Sequence, residues 1–191
     1  MMASIDQEGG PGLFDAETLA YRAEVFSHLV EREVLRALRY QEFLVVLALN
    51  LADPRHEGLV PPALLRLMAD HIHEEVRTTD IVGRLGDGLG VALVCVSEDD
   101  ARAVAWRLLA RVQGLTQFAD LLPPGAAAVR IGGACFPQGA SDARSLLQAS
   151  LAAVQRAAET PGGACGSGHD GQPSLLDAAS APSSYGDPGC P

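Results

Sequence analysis

What the chain is short of narrows its function first. It has no excess of basic residues: 14 lysines and arginines stand against 24 aspartates and glutamates, a formal net charge of -10. That disfavours nucleic acid and anionic membrane surfaces as partners, because both attract basic patches. A basic protein face, or a few arginines gathered in one pocket, is the contact such a surface leaves. No apolar segment reaches the ~18 residues a membrane-spanning helix needs. The first residues, MMASIDQEGGPG, lack the basic start and apolar run of a secretory leader. A soluble, cytoplasmic protein is expected. The 4 cysteines form no C-x-x-C pair and no Cys/His cluster, so zinc is not expected. Cys95 and Cys135 fall in predicted strands and read as core thiols; Cys165 and Cys190 read as thiols of a polar tail.

What is present suffices for one domain. The chain has 191 residues, of which 48% are hydrophobic. Residues 1–12 read as disordered. Residues 161–191, rich in Gly, Ser and Pro, offer little apolar surface to bury and read as a disordered tail. The folded part is expected over 13–160.

Within it, a first helix is expected from an N-cap at Asp15, with Leu19, Phe26, Val30, Val34 and Leu38 as its buried stripe. FLVVLALNL, 43–51, is a continuous apolar run and reads as a strand buried on both faces. Pro61-Pro62 opens a helix carrying Leu64, Met68, Ile72 and Val76. IVGRLG and GVALVCV read as two strands turning at Asp87-Gly88. Ser97 caps a third helix with Val104, Leu108 and Val112 inward and Trp106 off that row, a core or interface anchor. AAAVRIGGACF reads as a fourth strand, and Ser141 as the cap of a last helix carrying Leu146, Leu147, Leu151 and Val154.

The order α-β-α-β-β-α-β-α contains the ferredoxin-like unit β-α-β-β-α-β. It predicts an α+β fold: a four- to five-stranded antiparallel sheet with the helices of that unit on one face. His28, His56, His71 and His73 share no face or spacing suited to a metal and read as solvated or locally bonded.

RTTDIVGRLGDGLG, 77–90, together with that element order, resembles the GGDEF domains, the diguanylate cyclases that make cyclic di-GMP from two GTP. The family pattern there is close to R-x-x-D-hydrophobic-x-x-R-hydrophobic-G-G-D-E-F. DAETLAYRAEVF keeps the Asp15, Thr18 and Phe26 of the family's opening pattern, and RIGGACFPQG resembles its closing strand. The resemblance spans the whole folded part and implies a nucleotidyl-cyclase-like fold.

The departures from the pattern imply a degenerate domain. Asn50 stands where the family has a metal-binding aspartate, and an amide oxygen is a poor substitute for a carboxylate. In the ungapped register Gly88 and Leu89 replace the hairpin's two acids; with one residue deleted, Asp87 takes the first acid's place and Gly88 the second's. The guanine-reading loop is shortened, and Val154 and Ala157 fall near the last helix's Tyr and Lys. No catalytic residue and no metal ligand is assigned, and the chain is expected not to be an enzyme.

What the resemblance implies to be retained is the product-binding site. Its R-x-x-D signature is present as Arg77 and Asp80, with Arg107 as the best match for a further arginine and Arg111 as a second. The chemistry suits guanine: a guanidinium donates two bonds to the O6/N7 edge, and a carboxylate accepts from N1–H and N2–H. The competing reading is structural, with Arg77 stabilising a helix end and Asp80 pairing Arg84 on one strand face. Two functions follow. One is a cyclic di-GMP receptor or adaptor acting through Arg77, Asp80 and Arg107, with no cofactor beyond that ligand. The other is an interaction or dimerisation module that ignores nucleotide. No sensory or output segment is evident, so both need a protein partner, which the sequence does not name; a second copy of the chain is one candidate.

Overall fold

The computed structural model describes residues 12–51, 62–113, 129–159 and 166–167. The elements are α1 (Ala23–Tyr40), β1 (Leu44–Leu51), α2 (Pro62–Glu75), β2 (Ile81–Leu85), β3 (Gly88–Val94), α3 (Glu98–Gln113), β4 (Val129–Phe136), α4 (Ala143–Glu159) and the two-residue β5 (Gly166–Ser167). The strands form one sheet in the order β2-β3-β1-β4-β5. The first four are antiparallel neighbours, and β5 pairs parallel with β4. The α+β class and the antiparallel sheet are as expected.

The apolar run in β1 explains the layering. Side chains alternate across a strand. Val45, Leu47 and Leu49 join one core with α2 and α3, while Leu44, Val46 and Ala48 join a second with α1 and α4. Helices therefore cover both faces. The two helices of the β-α-β-β-α-β unit, α2 and α3, share one face as expected, and the first and last helices close the other.

The first helix begins at Ala23, not near Asp15. Asp15 caps a turn instead, its Oδ1 accepting the Thr18 N–H at 2.9 Å and the Thr18 hydroxyl at 2.8 Å. A short acid that holds a local turn competes with the helix for the backbone. Leu19 has φ 58, outside the helical region. The segment then joins the sheet edge: the Tyr21 N–H donates to the Val82 carbonyl, and the Arg84 N–H to the Tyr21 carbonyl. Leu19 and Leu38, expected in the buried stripe, are exposed, and Ala37 is buried in place of Leu38.

Burial raises the Asp15 pKa, but the Thr18 hydrogen bonds and the Arg84 charge outweigh it and hold the carboxyl below its ordinary value. Such a group contributes stability above the ordinary carboxylate range, and the contribution is lost as pH falls through the lowered value. Asp15→Ala is expected to cost about 1 kcal/mol at neutral pH. The loss shrinks toward zero in strong acid, as urea unfolding at the two pH values would show.

The hairpin turns at Gly86-Asp87, with Leu85 and Gly88 paired across it, one residue earlier than expected. Gly86 has φ +56, the left-handed conformation a two-residue hairpin turn favours and glycine adopts freely. Gly88 is already in β3, where an added Cβ would collide with the Leu49 carbonyl oxygen. Of the two remaining helix caps, one is as expected and one is shifted. Ser97 caps α3 as expected, its hydroxyl accepting the Asp100 N–H at 3.2 Å. Asp142, not Ser141, caps α4, accepting the Ser145 N–H at 2.8 Å; these bonds lower the Asp142 pKa. Cys135 is buried in β4, and burial pushes its thiol up to about 11. Cys95 is exposed just past β3, at φ 53.

Candidate ligand-binding site

α2 ends at Glu75 and the chain turns back into β2 through Arg77-Thr78-Thr79-Asp80. The Asp80 N–H donates to the Arg77 carbonyl at 3.0 Å and closes a β-turn. Asp80 then fixes the turn from inside. Its Oδ2 accepts the Arg77 N–H at 2.9 Å, and its Oδ1 accepts the Val94 N–H, at the end of β3, at 3.3 Å. Each carboxylate oxygen keeps a lone pair for a further donor. The Arg77 side chain is exposed and has no hydrogen-bond or ion-pair partner among the described residues.

α3 brings in Arg107. Its Nε donates to Glu75 Oε2 at 2.7 Å, and its Nη2 to the Glu75 carbonyl at 3.0 Å. One arginine thus serves two needs of the end of α2. It satisfies a terminal carbonyl, and it neutralises an acid that the negative end of the helix dipole disfavours. Arg111, one turn on, lies 3.4 Å from Glu74 Oε2 and 3.9 Å from Glu75 Oε1.

Arg77, Asp80 and Arg107, 30 residues apart from first to last by their numbers, line one depression of about 200 Å³ together with Glu75, Asp100 and Val104. All three residues singled out by the sequence are brought together. Arg111 sits beside this group, held by the same pair of acids. Asp80 and Arg84 do not pair, contrary to the structural reading. Asp80 is taken by backbone N–H groups, and Arg84 Nη1 is buried without a partner. The sequence reading missed Glu75 and Asp100. The signal for Glu75 was there: two acids in the last turn of a helix call for cations nearby. Trp106 is 41% exposed on α3 and is no core anchor.

The positions of the hairpin departures are also plain. Asn50 ends β1, with its Oδ1 accepting the Leu51 N–H at 2.7 Å. Since Leu49 pairs with Leu89, Asn50 and Gly88 lie side by side. Asp87 is exposed at the turn. The shortened guanine-reading loop lies mostly outside the described residues.

No protein-family model and no curated protein sequence matches the chain. Solved structures do. A truncated TpbB (YfiN) from Pseudomonas aeruginosa comprising only its GGDEF domain superposes with a TM-score of 0.69 at 24% identity, over 82% of this chain and 94% of that one. The fold is that of a GGDEF domain. The GGDEF domain of DgcB from Caulobacter crescentus, solved in complex with cyclic di-GMP, shares it with a TM-score of 0.67 at 14% identity, over 83% of this chain and 94% of that one. So does the active GGEEF domain of a diguanylate cyclase from Vibrio cholerae, at TM-score 0.64 and 14% identity, over 78% of this chain and 97% of that one.

The last of these corrects one expectation. The chain was expected not to be an enzyme, yet the GGDEF fold it adopts is one that carries an active diguanylate cyclase. The expectation rested on residues read one position at a time: Asn50, Gly88 and Leu89 at the acid positions, a shortened loop, and Val154 and Ala157 in the last helix. A missing carboxylate at one position does not decide which groups face a site, because a side chain one residue along a tight turn stays within a few ångströms of it. Among the described residues no helix is long and apolar enough to cross a membrane.

Proposed function

We propose that the chain is a cytoplasmic signalling domain of the GGDEF fold that binds cyclic di-GMP in the depression between the end of α2, β3 and α3 and passes the signal to a protein partner. The observation that carries this is the convergence of Arg77, Asp80 and Arg107 on one depression, with the Arg77 guanidinium unengaged by the described residues. The cyclic di-GMP bound to the DgcB domain, similar in fold, supports it. At about 200 Å³ the depression is below the roughly 300–1,000 Å³ that enclose a whole ligand. It suits one base. Arg77 reads the O6/N7 edge of a guanine, Asp80 accepts from its N1–H and N2–H, and Arg107 faces a phosphate at the rim. Titration calorimetry with cyclic di-GMP tests the reading. Binding is expected in the wild type and is strongly weakened in Arg77→Ala; no heat at tens of micromolar rejects it.

A second reading has its own observation. On the opposite face of the sheet α1 and α4 leave a groove of about 830 Å³. Leu35 and Leu38 are exposed there, and three acids, Glu24, Glu31 and Asp142, line it against one arginine, Arg144, and His28. A partner helix with an apolar stripe and basic flanks fits that surface, and the net charge of -10 disfavours a second copy of the chain. On this reading, a labelled amphipathic Leu/Lys helical peptide binds with or without cyclic di-GMP. Binding survives Arg77→Ala and is lost when Leu35 and Leu38 are both changed to Asp. An equal signal from a Leu/Glu peptide would count against it.

A further inference from the structure

We infer that Glu75 is the internal occupant of the arginine site and sets its affinity, passing from Arg107 to Arg111 when an anionic ligand arrives. The inference rests on the cyclic di-GMP reading of the same depression. Arg107 is not free in this structure. The Nε and Nη2 donors form the edge of the guanidinium that takes a phosphate or a guanine two-pronged. Glu75 holds both, one with its carboxylate at 2.7 Å and one with its backbone carbonyl at 3.0 Å. A ligand phosphate meets a carboxylate where it needs a cation.

The structure also supplies the place for that carboxylate to go. Glu75 Oε1 already lies 3.9 Å from Arg111 Nε. Arg107 and Arg111 are four apart on α3 and share a face. A change of side-chain rotamer takes Glu75 from one to the other without moving either helix. The Glu75 carbonyl keeps Arg107 Nη2 tethered, so Arg107 stays aimed at the depression while its Nε comes free. The Glu75 side chain is 21% exposed and the two arginines 52% and 51%, so all three have room to move. A ligand that carries phosphate compensates the displaced carboxylate, and a neutral nucleoside does not. Glu75 therefore selects for anionic ligands.

The test is a calorimetric titration of cyclic di-GMP into four chains: wild type, Glu75→Gln, Arg111→Ala and the double variant. Glu75→Gln keeps the shape and removes the competing charge, and is expected to bind about three- to tenfold tighter. It should melt with the wild type, since exposed ion pairs add little to folding. Arg111→Ala is expected to weaken binding about threefold, because the released Glu75 loses its counter-ion. In the Glu75→Gln background the same change has no effect, so the two substitutions are not additive. Wild-type binding without any gain in Glu75→Gln overturns the inference and leaves the ligand reading standing. Equal weakening by Arg111→Ala in both backgrounds means that Arg111 touches the ligand itself, and overturns the hand-over. No heat in any of the four chains rejects the ligand reading and this inference together.

Discussion

Arg77→Ala weakens cyclic di-GMP binding about thirtyfold or more and leaves the melting temperature where it was. The two halves of this result have separate origins. Folding does not depend on the guanidinium, which is exposed past the end of α2 and unpartnered among the described residues. Binding does depend on it on the proposed reading. A hydrogen bond to a charged group contributes roughly 1.5–3 kcal/mol, and the two-pronged contact to guanine puts two on one side chain. That range corresponds to about tenfold to more than a hundredfold in Kd. Arg77→Lys keeps the charge but not the planar fork, so it recovers only a small part of the loss. Asp80→Ala is a different experiment. It removes the acceptor of two backbone N–H groups, so stability and binding fall together. Calorimetry and thermal melts on the three variants separate these cases. An Arg77→Ala chain that binds as tightly as wild type removes Arg77 from the site.

Phe26→Ala is expected to cost about 3–5 kcal/mol of folding free energy, out of the roughly 5–15 kcal/mol typical of a domain. The ring is fully buried, and the β2–β3 hairpin is built around it. Gly83 and Gly90 pair with each other across the hairpin, and a Cβ added to either would run into the Phe26 ring. Side chains that would ordinarily line this face of the hairpin are absent because one phenyl ring occupies their space. Truncating the ring leaves a cavity that two glycines cannot fill. Gly90→Ala approaches the same contact from the other side and destabilises by overpacking. Urea unfolding decides the matter: a Phe26→Ala midpoint equal to that of wild type would show that the ring does not seat the hairpin.

The glycines of GRLGDGLG show where local reading stopped. Their pattern in the sequence pointed to a turn at Asp87-Gly88. Only Gly86, at φ +56, is required by turn geometry. Gly83, Gly88 and Gly90 are glycine because of what approaches them, the Phe26 ring and the Leu49 carbonyl. Those neighbours are remote in sequence, so no window of residues could have distinguished the two causes. Asp15 failed for a related reason. A short acid ahead of an apolar row is a cap signal, but here the row's first member, Leu19, stayed exposed and the acid held a turn at the sheet edge.

By itself the sequence determined the α+β class with its antiparallel sheet, the two buried faces of β1 and the capping role of Ser97. It also placed Arg77 and Asp80 ahead of the hairpin. Each of these depends on period or on side chains a few residues apart, which a linear chain displays directly. Only the tertiary structure decided that α1 and α4 close the second face of the sheet, and that Arg77, Asp80 and Arg107 share one depression. It alone showed which of those cations is engaged. Arg107 is held by Glu75 across 32 positions, while Arg77, two residues from Glu75, is not. Charge pairing acts through space over a few ångströms, and that distance is set by how α2 and α3 pack, not by separation along the chain.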